Sequence, residues 1–351
     1  MTRSTMDKYE SIHGKDVSSF DFTSTHRLPT VSAAQALDDL EADTRRFIST
    51  GITALDRTLA EVSVPVSLDD GDEKQQAGGI RMGQIMEVWG PPGSGKTTFA
   101  MQLVAKTLRD GGSVVWVDTF HPLCHHRLSQ IIDSSRSSLA EAEEATTSQR
   151  GPDDVTNLTN PTNLIHYFTP TLAHLIGLLC KLGASSVPPG TSLIVVDGLS
   201  GLINHAFPKN LESRPTPKDR GPGPGPGPGP AIRRLQVLQS LMSALQKLSA
   251  TRDLVIVIVS QCATRMQVER GATIIPAINA SAWEQGVDTR LVLFQDWTAV
   301  DTELRNVRLI GVQKSNGQAN PDGVGVMIPF EVCNVSLSFL FSFFFFFPFQ
   351  L

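Results

Sequence analysis

The stretch GPPGSGKTT, residues 90–98, follows the apolar run QIMEVW (84–89) and leads into FAMQLVAKTL (99–108). The apolar run is typical of a buried strand, whereas Phe99 and Leu103 begin a set of apolar residues that recurs at helical spacing. The stretch therefore predicts a strand, a tight glycine-rich turn and a helix.

This turn has the composition of a phosphate-binding loop. Its glycines let consecutive amide hydrogens point at phosphate oxygens beside the positive end of the helix. Lys96 is placed to reach the β and γ phosphates, Thr97 to ligate Mg²⁺ and Thr98 to contact the α phosphate. We expect ATP and Mg²⁺ as cofactors, held by Gly90, Pro91, Pro92, Gly93, Ser94, Gly95, Lys96, Thr97 and Thr98.

Composition sets the limits of the fold. The chain has 351 residues, 40% of them hydrophobic, which is enough for one large core with appendages. Residues 1–79 carry 8 basic and 14 acidic side chains, so the acidic balance belongs to the N-terminal part. The four cysteines form no C-x-x-C pair, and the N-terminus has no apolar signal region, so we expect a reducing compartment.

Apolar runs and helical patterns alternate along the middle of the chain. Strand candidates are IMEVW, SVVWVD, SLIVVD, LVIVIVS, RLVLF and VRLIGV, and helical patterns cover 96–109, 171–182 and 232–250. Such an order predicts an α/β fold, doubly wound, with a mostly parallel sheet covered by helices on both faces. Residues 1–45 read as a flexible acidic arm with one short helix near AAQALDDLEADTRRF, and the core as 46–332.

Inserts and an unusual tail complete the organisation. We expect inserts at 60–78, 134–163 and 205–231, the last with the repeat GPGPGPGPGP. Residues 333–351 form an aberrant apolar tail that is too short to span a membrane and contains Pro348. Our hypothesis is that the tail is a gene-model artefact, which abundant spliced transcripts of this frame would refute; a membrane tail anchor is the alternative.

Two further residues complete the predicted site. SLIVVDGLS (192–200) is a buried-strand run ending at Asp197, and such a carboxylate beside the loop holds Mg²⁺ through its water shell. Gln261, at the end of LVIVIVSQ, is placed to sense the γ phosphate. An aspartate that caps a strand and an ordinary strand end are the alternative readings. We expect Lys96 and Gln261 as catalytic residues and Thr97 and Asp197 as metal ligands.

Several segments together resemble the core of the RecA family. These are FISTGITALDRTL (47–59), GGIRMGQIMEVWGPPGSGKTTFAMQL (78–103) and then VVWVDT, LIVVD, IVIVSQ and DTRLVLF, in that order. The chain looks most like the eukaryotic recombinase and its diverged paralogues, which act as mediators in double-strand break repair. The resemblance spans about residues 47–332 and implies ATP bound at a subunit interface with two mobile loops facing DNA.

The resemblance also reveals a missing acid. The eukaryotic recombinase has Asp-Thr-Glu-Gly after the second core strand, and its glutamate activates the hydrolytic water, whereas this chain has Asp118, Thr119, Phe120 and His121. Phenylalanine can neither accept a proton nor orient a water. Glu87 matches the family's own glutamate in the loop strand and is not an obvious substitute. ATP is therefore expected to act mainly as a conformational ligand, with weak DNA-dependent hydrolysis.

Basic side chains mark two candidate DNA contacts. Loop 204–234 has a net charge of +4, and 262–282 corresponds to the second DNA loop of the family. The candidates are Lys209, Arg214, Lys218, Arg220, Arg265 and Arg270, with Arg233 and Arg234 in the first loop. Solvated surface loops are the alternative.

Two other patterns have weaker support. His121, Cys124, His125 and His126 match no usual zinc spacing. Phe20 and Phe22 resemble the short phenylalanine motif that links recombinase subunits, but its alanine is missing.

Together these features predict a nuclear recombinase paralogue that binds ATP and assists assembly or stability of a recombinase filament on single-stranded DNA during homologous recombination. Its expected partners are another paralogue, the main recombinase or both, and no membrane. One alternative is an ATP-gated scaffold without DNA affinity. A small-molecule kinase is another, disfavoured because no arginine-rich lid is visible.

Overall fold

A computed structural model describes residues 47–61, 78–143, 163–181, 188, 190–208, 229–268, 271–300, 303–333 and 336–339. All of them belong to one unit, residues 45–351. The arm predicted at 1–45 lies outside the described residues, and so does its short helix except for Phe47, which starts a strand.

Helices and strands alternate along the described part of the chain. Its helices are α1 (Thr53–Glu61), α2 (Lys96–Arg109), α3 (His125–Glu143), α4 (Leu172–Lys181), α5 (Leu199–Ala206), α6 (Pro230–Arg252) and α7 (Ser281–Gly286). Its strands are β1 (Phe47–Ile48), β2 (Ile80–Arg81), β3 (Ile85–Gly90), β4 (Ser113–Asp118), β5 (Leu164–Phe168), β6 (Thr191–Asp197), β7 (Val255–Gln267), β8 (Gly271–Pro276), β9 (Thr289–Val300), β10 (Glu303–Ser315), β11 (Gln318–Ala319), β12 (Met327–Cys333) and β13 (Ser336–Phe339).

One sheet organises the fold. Its strand order is β13-β12-β10-β9-β3-β7-β6-β4-β5, with β11 beside β10 and β8 beside β7. Every pair from β9 to β5 along this order is parallel. The β9, β10, β12 and β13 strands extend one side of the sheet by antiparallel pairing. The predicted α/β fold with a mostly parallel central sheet is confirmed.

Helices cover both faces of the sheet, so the strands are buried on both sides. On one face, α1, α2 and α3 pack on residues such as Val88 and Trp116. On the other, α4, α5, α6 and α7 pack on residues such as Val117 and Ile258. Burial on two faces explains why these strands are continuous runs of Val, Ile and Leu rather than alternating patterns.

Two predicted irregular segments contain helix. The insert expected at 134–163 begins inside α3, which continues to Glu143 because SLAEAE consists mostly of good helix formers. The loop expected at 204–234, and the insert at 205–231 within it, overlap the end of α5 and the start of α6. α6 already begins at Pro230, since proline fits the first turn of a helix. Arg233 and Arg234 therefore lie on a helix.

The prediction that 262–282 is a loop is wrong, because most of its described residues belong to strands. β7 continues beyond its buried part and pairs antiparallel with β8, from Cys262 opposite Pro276 to Gln267 opposite Gly271. Thr264, Thr273 and Ile274 are β-branched residues that suit such a ladder. The segment ends at the start of α7, which begins at Ser281.

The sheet also extends beyond the predicted core boundary at 332. β12 ends at Cys333, and β13 pairs with it, with Phe339 opposite Phe330. The rest of the tail lies outside the described residues. None of the described helices combines the length and apolar character needed to cross a membrane.

Candidate nucleotide-binding site

The predicted site residues meet at the carboxyl edge of three adjacent strands. β3 leads into residues 90–95, β6 ends at Asp197, and β7 lies between them. Gly90 is in register with Gln261, and Asp197 with Val259. Ligand sites in open α/β sheets form outside the carboxyl ends of the strands, and this arrangement follows that rule.

The loop begins where two strands come very close. Gly90 has φ of 152°, and a Cβ at this position would lie 2.0 Å from the carbonyl oxygen of Leu293 on β9. Only glycine fits here. At the other end of the loop Gly95 precedes α2 with φ of 102° and makes no side-chain cap, which leaves the first amides of α2 directed at an anion site.

The ammonium group of Lys96 lies within this loop. Its Nζ donates to the carbonyl oxygen of Pro91 at 2.7 Å and to Ser94 Oγ at 3.5 Å. Burial lowers the pKa of Lys96, and the negative charge of Asp197 opposes that effect. A cation held against the glycine-rich loop is well placed for phosphate oxygens.

Thr97 and Asp197 form the oxygen pair expected of a magnesium site. Thr97 Oγ1 donates to Asp197 Oδ2 at 3.1 Å, although the two residues are one hundred positions apart. The pKa of Asp197 is raised to about 6, chiefly by burial; the hydrogen bond from Thr97 acts to lower it, and the charge of Asp118 acts to raise it. Mg²⁺ prefers hard oxygen ligands and is often held by only one or two carboxylates together with phosphates, so these residues fit the ion.

Two side chains that donate hydrogen bonds to the loop and to the start of α2 were not predicted from the sequence. Gln295 Nε2, on β9, donates to the carbonyl oxygen of Gly93 at 2.9 Å. Arg127 Nη2, on α3, donates to Thr98 Oγ1 at 2.7 Å. Both partners come from distant parts of the chain, and neither motif nor periodicity marks them.

Phe120 lies beside the end of β6. Its side chain is 45% exposed, and its ring rests on α5, so a Cβ at Gly201 would lie 2.3 Å from Phe120 Cε2. The ring therefore occupies the surface that follows Asp197 and offers no proton acceptor there.

The nearest acids are held in other interactions. Asp118 is buried; its Oδ1 accepts from Trp116 Nε1 at 2.6 Å, and its Oδ2 lies 2.5 Å from both the amide nitrogen of Leu123 and His166 Nε2. Glu87 is buried and pairs with Arg290, whose Nε and Nη2 each lie 3.0 Å from Glu87 Oε2. Burial raises the pKa of Glu87, and Arg290 lowers it. Glu87 thus has a structural partner.

Gln261 marks the junction between the parallel sheet and the β7–β8 hairpin. Its amide donates to Ser200 Oγ on α5 at 2.9 Å, and its carbonyl oxygen accepts from the amide of Ala277 at 3.0 Å. Its side chain is exposed beside the loop. One strand therefore connects the phosphate loop with the exposed hairpin.

The predicted DNA contacts are only partly described. Arg265 is exposed on the β7–β8 hairpin, opposite Thr273. Arg234, on α6, lies 3.4 Å from Asn204 Oδ1 and 3.5 Å from the carbonyl oxygen of Ala277. Residues outside the described part are Lys209, Arg214, Lys218, Arg220 and Arg270, together with Phe20 and Phe22.

A histidine-rich turn follows β4. The rings of His125 and His166 meet edge to face with centroids 5.6 Å apart. In the part of the chain that the structure describes, no group of three or more His, Cys, Asp or Glu side chains is arranged to hold a metal.

The fold and site define the class of protein. A parallel sheet that places a glycine-rich loop and Lys96 next to a strand-end aspartate is the arrangement typical of P-loop proteins with a RecA-like core. Residues 39–134 match the RecA N-terminal domain family. Beyond this match, the chain is similar to DNA repair and recombination proteins of the RecA family, whose members bind ATP.

Three relatives illustrate this similarity. DNA repair protein rhp55 of Schizosaccharomyces pombe is 24% identical over 258 residues, which are 64% of this chain and 71% of that protein. DNA repair protein recA homolog 3, mitochondrial, of Arabidopsis thaliana is 34% identical over 96 residues, 26% of this chain and 22% of that protein. DNA repair and recombination protein RadB of Methanosphaera stadtmanae is 31% identical over 87 residues, 24% of this chain and 38% of that protein.

Proposed function

We propose that this protein is an ATP-binding recombinase paralogue in homologous-recombination repair of DNA double-strand breaks. In this role it assists the assembly or stability of a recombinase filament on single-stranded DNA. The observation that carries the proposal is the continuity of β7, whose Gln261 lies beside Gly90 while its outer half carries the exposed hairpin with Arg265.

ATP binding by the phosphate loop is the first step. Lys96 and the amides at the start of α2 would neutralise the phosphates, and Thr97 and Asp197 would hold Mg²⁺, which would neutralise further phosphate charge. Gln261 is the sensing residue, since a γ phosphate beside Gly90 changes what its side chain can contact. A movement of β7 would then change the position of the β7–β8 hairpin, because the outer part of β7 belongs to it.

Hydrolysis is proposed to be weak. Phe120 covers the surface next to Asp197, while Asp118 and Glu87 are held by other side chains. A general base contributes roughly 10²–10⁴-fold to rate, so its loss favours a long-lived ATP state. Such a state suits a protein that stabilises an assembly.

The proposed partners are single-stranded DNA and a second recombinase subunit, either another paralogue or the main recombinase, in the nucleus. The resemblance to eukaryotic recombinase paralogues supports these assignments. Affinity purification from damaged cells is expected to recover such a subunit, and a fluorescent fusion is expected in the nucleus. Recovery without any recombinase, or exclusion of the fusion from nuclei, would contradict them.

Salt-dependent binding of single-stranded DNA tests the DNA contact. Affinity measured with ATP and Mg²⁺ is expected to fall steeply with salt, because each neutralised phosphate releases counterions. In a plot of log affinity against log salt concentration, Arg265→Ala is expected to make the slope less steep by about 1. Arg252→Ala is the matched control, since Arg252 is exposed at the end of α6, before the amino end of β7.

The same measurement separates the two functions that remain. A salt dependence that is less steep by about 1 in Arg265→Ala and unchanged in Arg252→Ala supports direct DNA contact by the hairpin. Absence of DNA binding by a protein that still binds ATP would instead favour an ATP-gated scaffold.

A further inference from the structure

An exposed tryptophan lies on β9 close to the phosphate loop. Leu293 of β9 runs past Gly90, and two residues later Gln295 donates to Gly93. Trp297 follows Gln295 by two more positions. Since alternate residues of a strand face the same side, Trp297 lies on the face that contacts the loop, about 7 Å further along the strand.

The pairing of β9 with β10 supports this placement. Gln295 is opposite Arg308 and Trp297 is opposite Asn306, with no register shift in this stretch. Asn306 Nδ2 also reaches Gln295 Oε1 at 3.4 Å, so both residues lie on one side of the ladder. Further back on β9, Leu291 and Leu293 belong to the core beneath α2, the helix that follows the loop.

The exposure of Trp297 is unusual among the tryptophans of this chain. It is 65% exposed, whereas Trp89, Trp116 and Trp283 are buried. A large apolar ring left in water costs free energy unless something covers it. A flat aromatic ligand held nearby would recover that cost.

We propose that Trp297 is the stacking platform for the purine base of the bound nucleotide. This inference rests on the proposed ATP site and names what holds the other end of the ligand. The loop fixes the phosphates, Gln295 joins β9 to the loop, and the indole lies beyond it, where a base joined to those phosphates through a ribose can reach. The site therefore recognises a nucleoside triphosphate and not phosphate alone.

A second exposed aromatic provides a matched control. Phe168 is 56% exposed at the carboxyl end of β5. β5 is separated from β3 by β7, β6 and β4, so it lies about 19 Å away at normal strand spacing. Truncation of Phe168 removes an exposed ring from the same edge of the sheet without touching a base bound near β9.

Binding of Mg²⁺–ATP and Mg²⁺–tripolyphosphate to the full chain tests the proposal. Wild type is expected to bind ATP more tightly than tripolyphosphate, with quenching of tryptophan fluorescence by ATP only. Trp297→Ala is expected to bind ATP about tenfold more weakly, within the range of base–aromatic stacking, and tripolyphosphate unchanged. Trp297→Phe should keep ATP affinity within about threefold and lose the quenching. Phe168→Ala should resemble wild type.

The outcomes separate the two proposals. Equal ATP affinity in wild type and Trp297→Ala, with tripolyphosphate still bound, overturns the stacking platform and leaves the phosphate site standing. Equal loss of ATP and tripolyphosphate binding in Trp297→Ala also overturns it, since the residue would then support the loop. Failure of wild type to bind either ligand would overturn the ATP site itself.

Discussion

Replacement of Asp197 by asparagine is expected to remove a pH dependence from magnesium-supported nucleotide binding. Burial raises the pKa of Asp197 to about 6, and Mg²⁺ binds only the ionised carboxylate. Protons therefore compete with the ion as the pH falls through about 6. At pH 5 about one carboxyl in eleven is ionised, against nearly all at pH 8, so the contribution of Asp197 to affinity should fall about tenfold.

Calorimetric titration of ATP with saturating Mg²⁺ between pH 5 and pH 8 measures this effect. Proton equilibria of ATP itself occur with both proteins, so the ratio of wild-type to Asp197→Asn affinity isolates the carboxyl group. The expected ratio is about ten times larger at pH 8 than at pH 5. A ratio that does not change with pH would refute the role of Asp197 as a buried metal ligand.

Without metal and nucleotide, the raised pKa of Asp197 affects the stability of the fold, and stability then decreases rather than increases as the pH rises. The folded protein then holds the proton of Asp197 more tightly than the unfolded chain, in which the pKa of an aspartate has its ordinary value of 3.8. This contribution to stability is fully present below 3.8 and is lost as the pH rises through about 6. Asp197→Asn should therefore be more stable than wild type at pH 8 in urea unfolding, with a smaller advantage at pH 4.

Three further substitutions test the surroundings of the site. Arg290→Met should lower the free energy of unfolding by about 3–5 kcal/mol near pH 8, because it leaves Glu87 charged and buried. Adding Glu87→Gln to this variant should recover part of the lost stability. Equal stability of wild type, the single variant and the double variant in urea would contradict a stabilising Glu87–Arg290 ion pair. Phe120→Glu should raise single-turnover ATP hydrolysis about a hundredfold if a carboxylate is what is missing, and an unchanged rate would argue against that cause. Gly201→Ala should cost about 1–2 kcal/mol in thermal unfolding, since its methyl group meets the Phe120 ring, and purely additive effects with Phe120→Ala would exclude that contact.

The local signals of the core could be read directly from the sequence. Each of these signals reflects a local physical requirement. They are the glycines before Lys96, the buried runs of β3, β4 and β6, and the aspartate at the end of β6. Parallel strands buried on both faces need continuous apolar residues, so their positions were clear. Sheet order then follows the RecA-like resemblance and brings Thr97 to Asp197.

Contacts between residues that are far apart in the sequence could not be predicted from such local patterns. The β7–β8 hairpin is largely exposed, even at Met266 and Ile274, and has no buried apolar run. Its residues therefore read as a loop until the antiparallel ladder supplies their hydrogen bonds. The pair of Glu87 with Arg290 joins residues 203 positions apart, and Gln295 reaches Gly93 from 202 positions away. Charge and amide side chains carry no periodic signal, so only the folded sheet reveals what they contact.

Magnesium-dependent binding of ATP to the purified chain is the most direct test of the central claim. We predict that wild type and Lys106→Ala bind ATP with Mg²⁺, because Lys106 lies further along α2, where it pairs with Asp110. Lys96→Ala is predicted to lose that binding, since its ammonium group lies inside the phosphate loop. Wild type without magnesium-dependent affinity for ATP, or Lys96→Ala with unchanged affinity, would contradict the account.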